Sequence, residues 1–571
     1  MEHKPKAVQT QNINGVDYLL SRSEVGKFGG TFVSSTIGEG PKTFNPWNSM
    51  DATSSMAADL MFDGLVTTDA YTGEIIPRLA KSIKILPDNK TYVIELRKGV
   101  KWSDGEDITA DDVFFTWDTI VFGGYGNTST RDAMYIGGQL PKIEKLDKYT
   151  VKFVTPKPFS PFLRQLSVPI GPKHVLEPIT KQGKKVFSSF WSSNTNPNDF
   201  VTSGAFRLIE YVPAQRLVYE RNPNYYVIDE KKQNLPYLDK YIILIVGDLN
   251  NELLKFKAKE LDTIGLRGAN VSLFKEQEKF SDYKIYNLGP DTGTMYLAFN
   301  QNTRKNDKGK YYVNPIKQKW FTDLNFRKAV DYALDRENMV FNIAAGVATP
   351  LFTPEPLSSI YLNETVAKGH LQDMQKAKAL LAESGFYIKN KNLYDKQGNK
   401  VEFDLYTNAG NTERESIGVM VKQDLEELGM TVNFKPIEFN TLVSKLVNSN
   451  DFDAVILGFT GSPLEPYGGK NVWYSNGTLH LFNMRKTPDE NNSMFWWERK
   501  LNEIFDKAAL ELDFDKRKAL YDEYQQVVYD EKPIIYLYSP IRISAVRNKF
   551  GNIYPTELGG VIHNLEEIYV K

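Results

Sequence analysis

The spacing of apolar and polar positions changes several times along the chain. Met1 to Phe28 is polar and shows no sustained period, so it is expected to be a flexible leader. Gly29 and Gly30 punctuate the start of a strand over Thr31–Thr36. A loop through Pro41, Phe44, Asn45, Pro46, Trp47 and Asn48 follows, then a predicted helix from Ser54 to Leu65. Strand, loop and helix in that order are how α/β proteins set binding loops at strand ends. Tyr92–Leu96 alternates as a strand and Asp104-Gly105 reads as a turn. Thr109 is placed to cap a helix whose first turn carries Asp111 and Asp112, where the dipole favours acids. From about 120 to 200, clusters of Gly, Asn and Pro break every periodic run, so a loop-rich β subdomain is expected.

Regular periods then return. Gly204–Leu208 running on to Val218–Glu220 has the pattern of a hairpin, and strands at 241–246 and 283–286 flank a helix at 251–259. From about 291 a second α/β series begins, with strands at 295–299, 402–407, 431–434 and 453–457 and helices at 324–335, 372–384, 412–428 and 439–447. Val419, Val421, Leu425 and Leu428 mark the expected buried face of the third of these helices. A last long helix is predicted over 497–530, before extended segments at Ile534–Tyr538 and Arg542–Val546. The order implies an α/β protein of two lobes. The first comprises 29–75, 200–290 and 535–571, with an inserted β-rich subdomain over 76–199; the second is 291–534. Crossings between lobes are expected near Leu288–Tyr296 and Ile535–Arg542.

A chain of 571 residues exceeds what one core supports. Its 70 basic and 71 acidic residues leave a formal charge of -1. That lacks the basic excess with which nucleic-acid binders neutralise phosphates, so no nucleic-acid partner is expected. Cysteine is absent, which removes disulfides, thiolate metal sites and a cysteine nucleophile. The five histidines, His3, His174, His370, His480 and His563, are too scattered to pair on a metal, and no cofactor is expected. No apolar run approaches the roughly 20 residues of a membrane span. Met1 to Phe28 lacks the apolar core of a secretory signal, so either the protein is cytoplasmic or such a signal has been removed, and removal is the favoured expectation.

Catalytic patterns fail one by one. Ser203-Gly204 and Gly461-Ser462 do not complete a nucleophile elbow. Asp111-Asp112 and Glu426-Glu427 lie in predicted helices, as solvated or dipole-facing acids. Asp513-Phe514-Asp515 lacks the glycine and closing glutamate of a calcium loop. Recognition is left. Phe44, Trp47, Phe459, Tyr467, Trp473 and Tyr474 all fall in segments broken by Gly and Pro beyond strand ends, where an aromatic can stack on a ligand.

Several stretches carry a resemblance to a known family. Pro77–Ser82 precedes Tyr92–Leu96, then Arg97–Gly105 leads into Thr109–Val113. Gly204–Phe206 with Arg221–Tyr226, Asn300, Phe321–Asp323, Arg327–Val330 and Ala333–Arg336 follow in the same order as in that family. The chain thus resembles the family 5 extracellular solute-binding proteins, receptors for oligopeptides, dipeptides, nickel chelates and some oligosaccharides. Trp102 is expected to anchor a core and Asp335-Arg336 to pair charges at a helix end.

The resemblance implies a two-lobed periplasmic-binding-protein type II fold that buries its ligand by hinge closure and docks on the membrane permease of an ABC importer. It implies a monomeric receptor, not an enzyme, in the periplasm or outside the cell, with lipid anchoring to the membrane surface as one form of that location. It also places Asp453–Pro466 in the cleft. In peptide receptors of the family, an aromatic there is followed three positions later by an aspartate that pairs with the ligand amine. Here Phe459 holds the aromatic place, Thr460 and Gly461 follow, and Ser462 stands where the aspartate is expected. Serine supplies no counter-charge, and Glu465 is the nearest acid that could replace it. An extended solute, an oligopeptide first, is the expected ligand. An oligosaccharide is the alternative, with Asn471, Asn476 and Asn483 as hydroxyl partners. A nickel chelate, or a chaperone or signalling role, ranks below both.

Overall fold

The computed structural model describes residues 4–306, 308–484 and 494–571. The chain opens with β1 (Thr10–Ile13), β2 (Val16–Leu20), β3 (Thr31–Ile37) and α1 (Ala52–Asp59). Next come β4 (Ala80–Ile85), β5 (Thr91–Leu96), α2 (Ala110–Phe114), β6 (Lys142–Asp147) and β7 (Thr150–Val154). Then follow β8 (Phe206–Val212), β9 (Arg216–Arg221), β10 (Val227–Ile228), β11 (Lys240–Val246), β12 (Thr263–Leu266) and β13 (Tyr283–Pro290).

From residue 4 onward the leader is ordered against the rest of the chain. β1 and β2 form an antiparallel hairpin, and β10 joins β2 in parallel. The buried face of β2 carries Asp17 as well as Leu19. Asp17 accepts from Asn12 at 2.8 Å and from the Lys98 amide at 3.1 Å, and pairs with Lys81 at 3.3 Å. A charged residue facing inward hides the alternation that would mark this strand. Beyond it, the Ser21 and Ser23 hydroxyls donate to Glu567, tying the leader to the chain's end.

The first lobe is built on the sheet β8-β9-β11-β3, with β3 and β11 parallel. α1 stops at Asp59, six residues short of the expected Leu65. The carbonyls of Leu60 and Met61 are taken by the amides of Ser203, Gly204 and Phe206, at 2.7–3.1 Å, instead of by a further helical turn. A separate antiparallel sheet, β4-β5-β7-β6, lies between α1 and β8 in sequence. Trp102 is fully buried beneath it. Thr109 caps α2, and Asp112 returns the bond to the Thr109 amide at 2.9 Å, a capping box. The stretch from 120 to 200 is mixed and not purely β. β6 and β7 supply strands, but Lys173–Thr180 and Lys184–Ser189 are helices.

The second lobe holds β14 (Thr294–Phe299), α3 (Leu324–Ala333), β15 (Glu402–Asn408), α4 (Thr412–Glu426), β16 (Thr431–Ile437) and β17 (Ala454–Phe459). α5 (Trp496–Leu510), α6 (Phe514–Glu531) and β18 (Ile534–Tyr536) complete the series, and β19 (Tyr538–Arg547) follows outside its sheet. The sheet order is β16-β15-β17-β14-β18. Ala454–Leu457 is buried throughout, as expected of a strand covered on both faces. On α4 the buried stripe is Ile417, Val421 and Leu425, with Leu428 buried just past the helix end, each adding about 1.5–3 kcal/mol by burial. Val419 is 46% exposed, because two residues from Val421 is half a turn round the helix. The long terminal helix is two helices, since Asp513 caps α6 through the Lys516 amide at 3.0 Å. Asp335 likewise caps the helix Arg336–Asn342, and Arg336 pairs with Asp331 instead of with Asp335.

The lobes meet where β13 passes into β14 and β18 into β19. β13 and β19 pair within a four-stranded sheet in which β19 lies between β12 and β13 and also pairs with Ala348–Pro350, while β14 and β18 pair in the second lobe. The two crossings run side by side. The Asp291 amide donates to the Pro540 carbonyl at 2.8 Å and the Leu537 amide to the Met295 carbonyl at 3.0 Å. Among the described residues, no helix is long and apolar enough to cross a membrane.

Candidate functional site

Between the lobes lies a cavity of about 1450 Å³, above the roughly 300–1,000 Å³ of ordinary small-molecule pockets. One wall is α1 and the chain after it, through Asp51, Ser55, Asp59 and Asp63. The crossing segment Thr292–Met295 forms one side, and Arg414, Phe439 and Leu457–Thr460 form the second-lobe wall. The lobes are drawn together at the cleft's margins. Lys42 Nζ reaches the Asn440 carbonyl at 3.3 Å, the Leu249 amide the Gly410 carbonyl at 3.3 Å, and Arg267 lies 3.7 Å from Glu413.

Phe459 ends β17 opposite Thr294, and its ring stacks on Tyr296 with centroids 4.6 Å apart. Beside that stack, Arg414 projects from the first turn of α4. Its Nη1 donates to the Asn408 side chain at 2.9 Å. Its Nε is buried without a partner, and no ion pair holds it among the described residues. Burial pulls its pKa down, although Tyr296 and Glu413 oppose that shift. A Cβ on Gly458 would stand 3.0 Å from Arg414 Nη2, so the glycine leaves room for the guanidinium. The Tyr296 hydroxyl is also buried and unpartnered. A buried cation with unfilled donors calls for an anion.

Of the sequence-proposed residues, the structure brings Phe459 and Thr460 to the cavity. The first-lobe set is elsewhere. Phe44 is wholly buried, its ring edge-on to Phe200 at 5.5 Å and Tyr211 at 5.3 Å. Trp47 stacks on Trp191, and its indole N–H donates to the Pro169 carbonyl at 3.2 Å. The Asn48 amide donates to the carbonyls of Phe187 and Ser188. Loop aromatics here close the lobe's own core, and contact with the cavity begins one residue later, at Ser49. A polar stripe at 51, 55, 59 and 63, spaced i, i+4, was the signal that could have found that wall.

Gly461 leaves the cavity to pack on the crossing, where an added Cβ would meet the Thr292 carbonyl at 2.4 Å. Ser462 is exposed, its hydroxyl accepting from the Leu464 amide at 3.3 Å. Glu465 cannot stand in for the missing acid. It is buried under the Tyr521 hydroxyl at 3.0 Å and caps the Tyr467 amide at 3.2 Å. Tyr467 donates to the Ala133 carbonyl at 2.6 Å, and Trp473 packs on Phe482 and Tyr524. Asn471, Asn476 and Asn483 also lie off the cavity. Arg414 was missed because a lone arginine in a helix reads as a solvated charge.

Glu355 is 3% exposed, and burial, reinforced by Glu465 nearby, pushes its pKa up to about 8 despite a bond from Ser359. Between about pH 4.5 and 8 the folded chain keeps a proton that the unfolded chain has lost, so stability falls as pH rises through that window. Glu355→Gln should flatten this fall and raise the melting temperature at pH 8 more than at pH 4.5. Melting curves at the two pH values check it; equal shifts at both would refute it.

The fold and cleft define a two-lobed solute receptor. Residues 74–479 match the bacterial extracellular solute-binding proteins, family 5 middle region, and the chain belongs to that family. It is 32% identical to a probable ABC transporter-binding protein of Deinococcus radiodurans, over 89% of this chain and 86% of that one. It is 27% identical to the oligopeptide-binding protein AppA of Bacillus subtilis, over 90% and 86%. The solved structure of AppA from Bacillus subtilis with a nonapeptide superposes with TM-score 0.78 at 24% identity, covering 96% of this chain and all of that one. The periplasmic binding protein MelB of Agrobacterium fabrum, solved with stachyose, gives 0.81 at 21% identity, covering 97% and 87%.

Proposed function

We propose that the protein is the receptor of an ABC importer, that it captures an oligopeptide by closing its lobes, and that it passes the ligand to a membrane permease. Arg414 carries the choice of ligand. A guanidinium taken from water without a counter-ion is costly, and a peptide carboxylate would supply that counter-ion with two parallel hydrogen bonds. A neutral oligosaccharide would leave the charge uncompensated. Phe459, stacked on Tyr296, and Thr460 would contact the ligand, whose main chain would run past the ends of β14 and β17. The hydrogen-bonded pair of crossings is a short hinge about which the lobes would open.

Calorimetry with pools of free and C-terminally amidated peptides, beside manno-, gluco- and xylo-oligosaccharides, tests the reading. Binding of free peptides, weakened by amidation, is expected. A sugar that binds where no peptide does would overturn it.

A further inference from the structure

The first-lobe wall holds one charge that the carboxylate site does not use. Asp51, Ser55, Asp59 and Asp63 share the stripe that faces the cavity. Most acids on this wall are already paired. Asp51 accepts from the Ser54 amide at 2.8 Å and hydroxyl at 2.7 Å. Asp63 accepts from the Tyr226 hydroxyl at 2.9 Å and lies 3.5 Å from Arg78. Asp69 pairs with Arg22 at 3.0 Å and Glu566 with Arg78 at 3.4 Å. Glu567 is bonded by Ser21, Ser23 and the Arg22 amide.

Asp59 has no hydrogen bond and no ion pair among the described residues. It closes α1, and the negative end of the helix dipole favours a cation beside the last turn. Its side chain is open to the cavity and not packed into the core. The surrounding protein still displaces enough water to raise its carboxyl to about 6. On the facing lobe, Arg414 Nε is buried and equally without a partner. On facing lobes the cleft thus holds an acid without a partner and a guanidinium whose Nε is unfilled.

We propose that Asp59 is the first-lobe anchor for a cationic nitrogen of the solute, so that the cleft selects peptides carrying a positive charge as well as the carboxylate held by Arg414. This rests on the peptide reading above. The anchor would move the recognition of positive charge from the second lobe, where Ser462 offers none, to the first. A ligand joined to both lobes through opposite charges would favour the closed form, because each lobe alone satisfies only one end.

The test is calorimetry on the wild type, Asp59→Asn and Asp59→Ala with four peptides: pentaalanine, its acetylated form, Ala-Ala-Lys-Ala-Ala and its acetylated form. The wild type should bind a cation-bearing peptide at least about tenfold tighter than acetyl-pentaalanine. Both variants should lose that preference and remain folded, with melting temperatures no lower than that of the wild type. A preference that follows acetylation assigns the peptide amine to Asp59, and one that follows lysine assigns a side chain; either supports the anchor. No preference in the wild type, or one that survives in both variants, would overturn it while leaving the peptide reading in place. Failure of all four peptides to bind would remove the peptide reading, and this inference with it.

Discussion

Arg414→Gln is expected to weaken peptide binding by about a hundredfold or more and, in the same protein, to raise the stability of the empty form. Both effects follow from one charge. A ligand carboxylate left without its guanidinium loses charge-assisted hydrogen bonds, and breaking a buried pair costs about 3–5 kcal/mol. Without ligand the balance reverses, because Arg414 is then a cation with a buried, unpartnered Nε and no direct ion pair among the described residues. Glutamine removes that charge yet keeps a donor for Asn408, which now holds Nη1 at 2.9 Å. Calorimetry and melting of the empty protein give the two readouts. An unchanged affinity would show that the carboxylate is bound elsewhere.

The second large effect lies away from the cleft. Asp331, in α3, is 1% exposed and is bonded by Arg336, by His370 at 2.9 Å and by Lys532 at 2.8 Å. Burial alone would raise its carboxyl, but Lys532, Arg336 and His370 outweigh that and hold it well below the usual range. Arg336 also reaches the Tyr536 carbonyl at 2.8 Å, so the cluster joins α3 to β18 at the foot of a crossing. Asp331→Ala strands two buried cations and should destabilise the second lobe by about 3–5 kcal/mol. Because the folded carboxyl is depressed, its contribution is complete above the unfolded value near 3.8 and is lost as pH falls below it. Urea unfolding at pH 7 and at pH 3 measures both. A loss under 1 kcal/mol at pH 7 would show that the cluster is not a stabilising unit.

The fold was largely legible because its strands and helices have strong periods. Ala454–Leu457 and the stripe of Ile417, Val421 and Leu425 are where period alone predicts burial. The failures have local causes. Asp17 puts a charge on the buried face of β2, and the amides of 203–206 capture the carbonyls that would have continued α1. The cleft was far less legible. Phe44 and Trp47 looked like ligand contacts because Gly and Pro mark their loop, but large aromatics in a loop fill a core as readily as a cleft. Glu465 was an acid at a plausible distance along the chain, and Tyr521 buries it. Arg414 and Asp59 matter because they lack partners, and lack of a partner shows only once the chain is folded.

Closure on a solute is tested most directly by a distance between the lobes. The chain has no cysteine, so Gln215→Cys on the first lobe and Thr441→Cys on the second give one labelled pair. Double electron–electron resonance on this pair should show a broad, long distance distribution in protein stripped of ligand by unfolding and refolding. Addition of a peptide pool should collapse it to a single shorter distance. A distribution that stays the same while calorimetry records saturated binding would contradict capture by lobe closure.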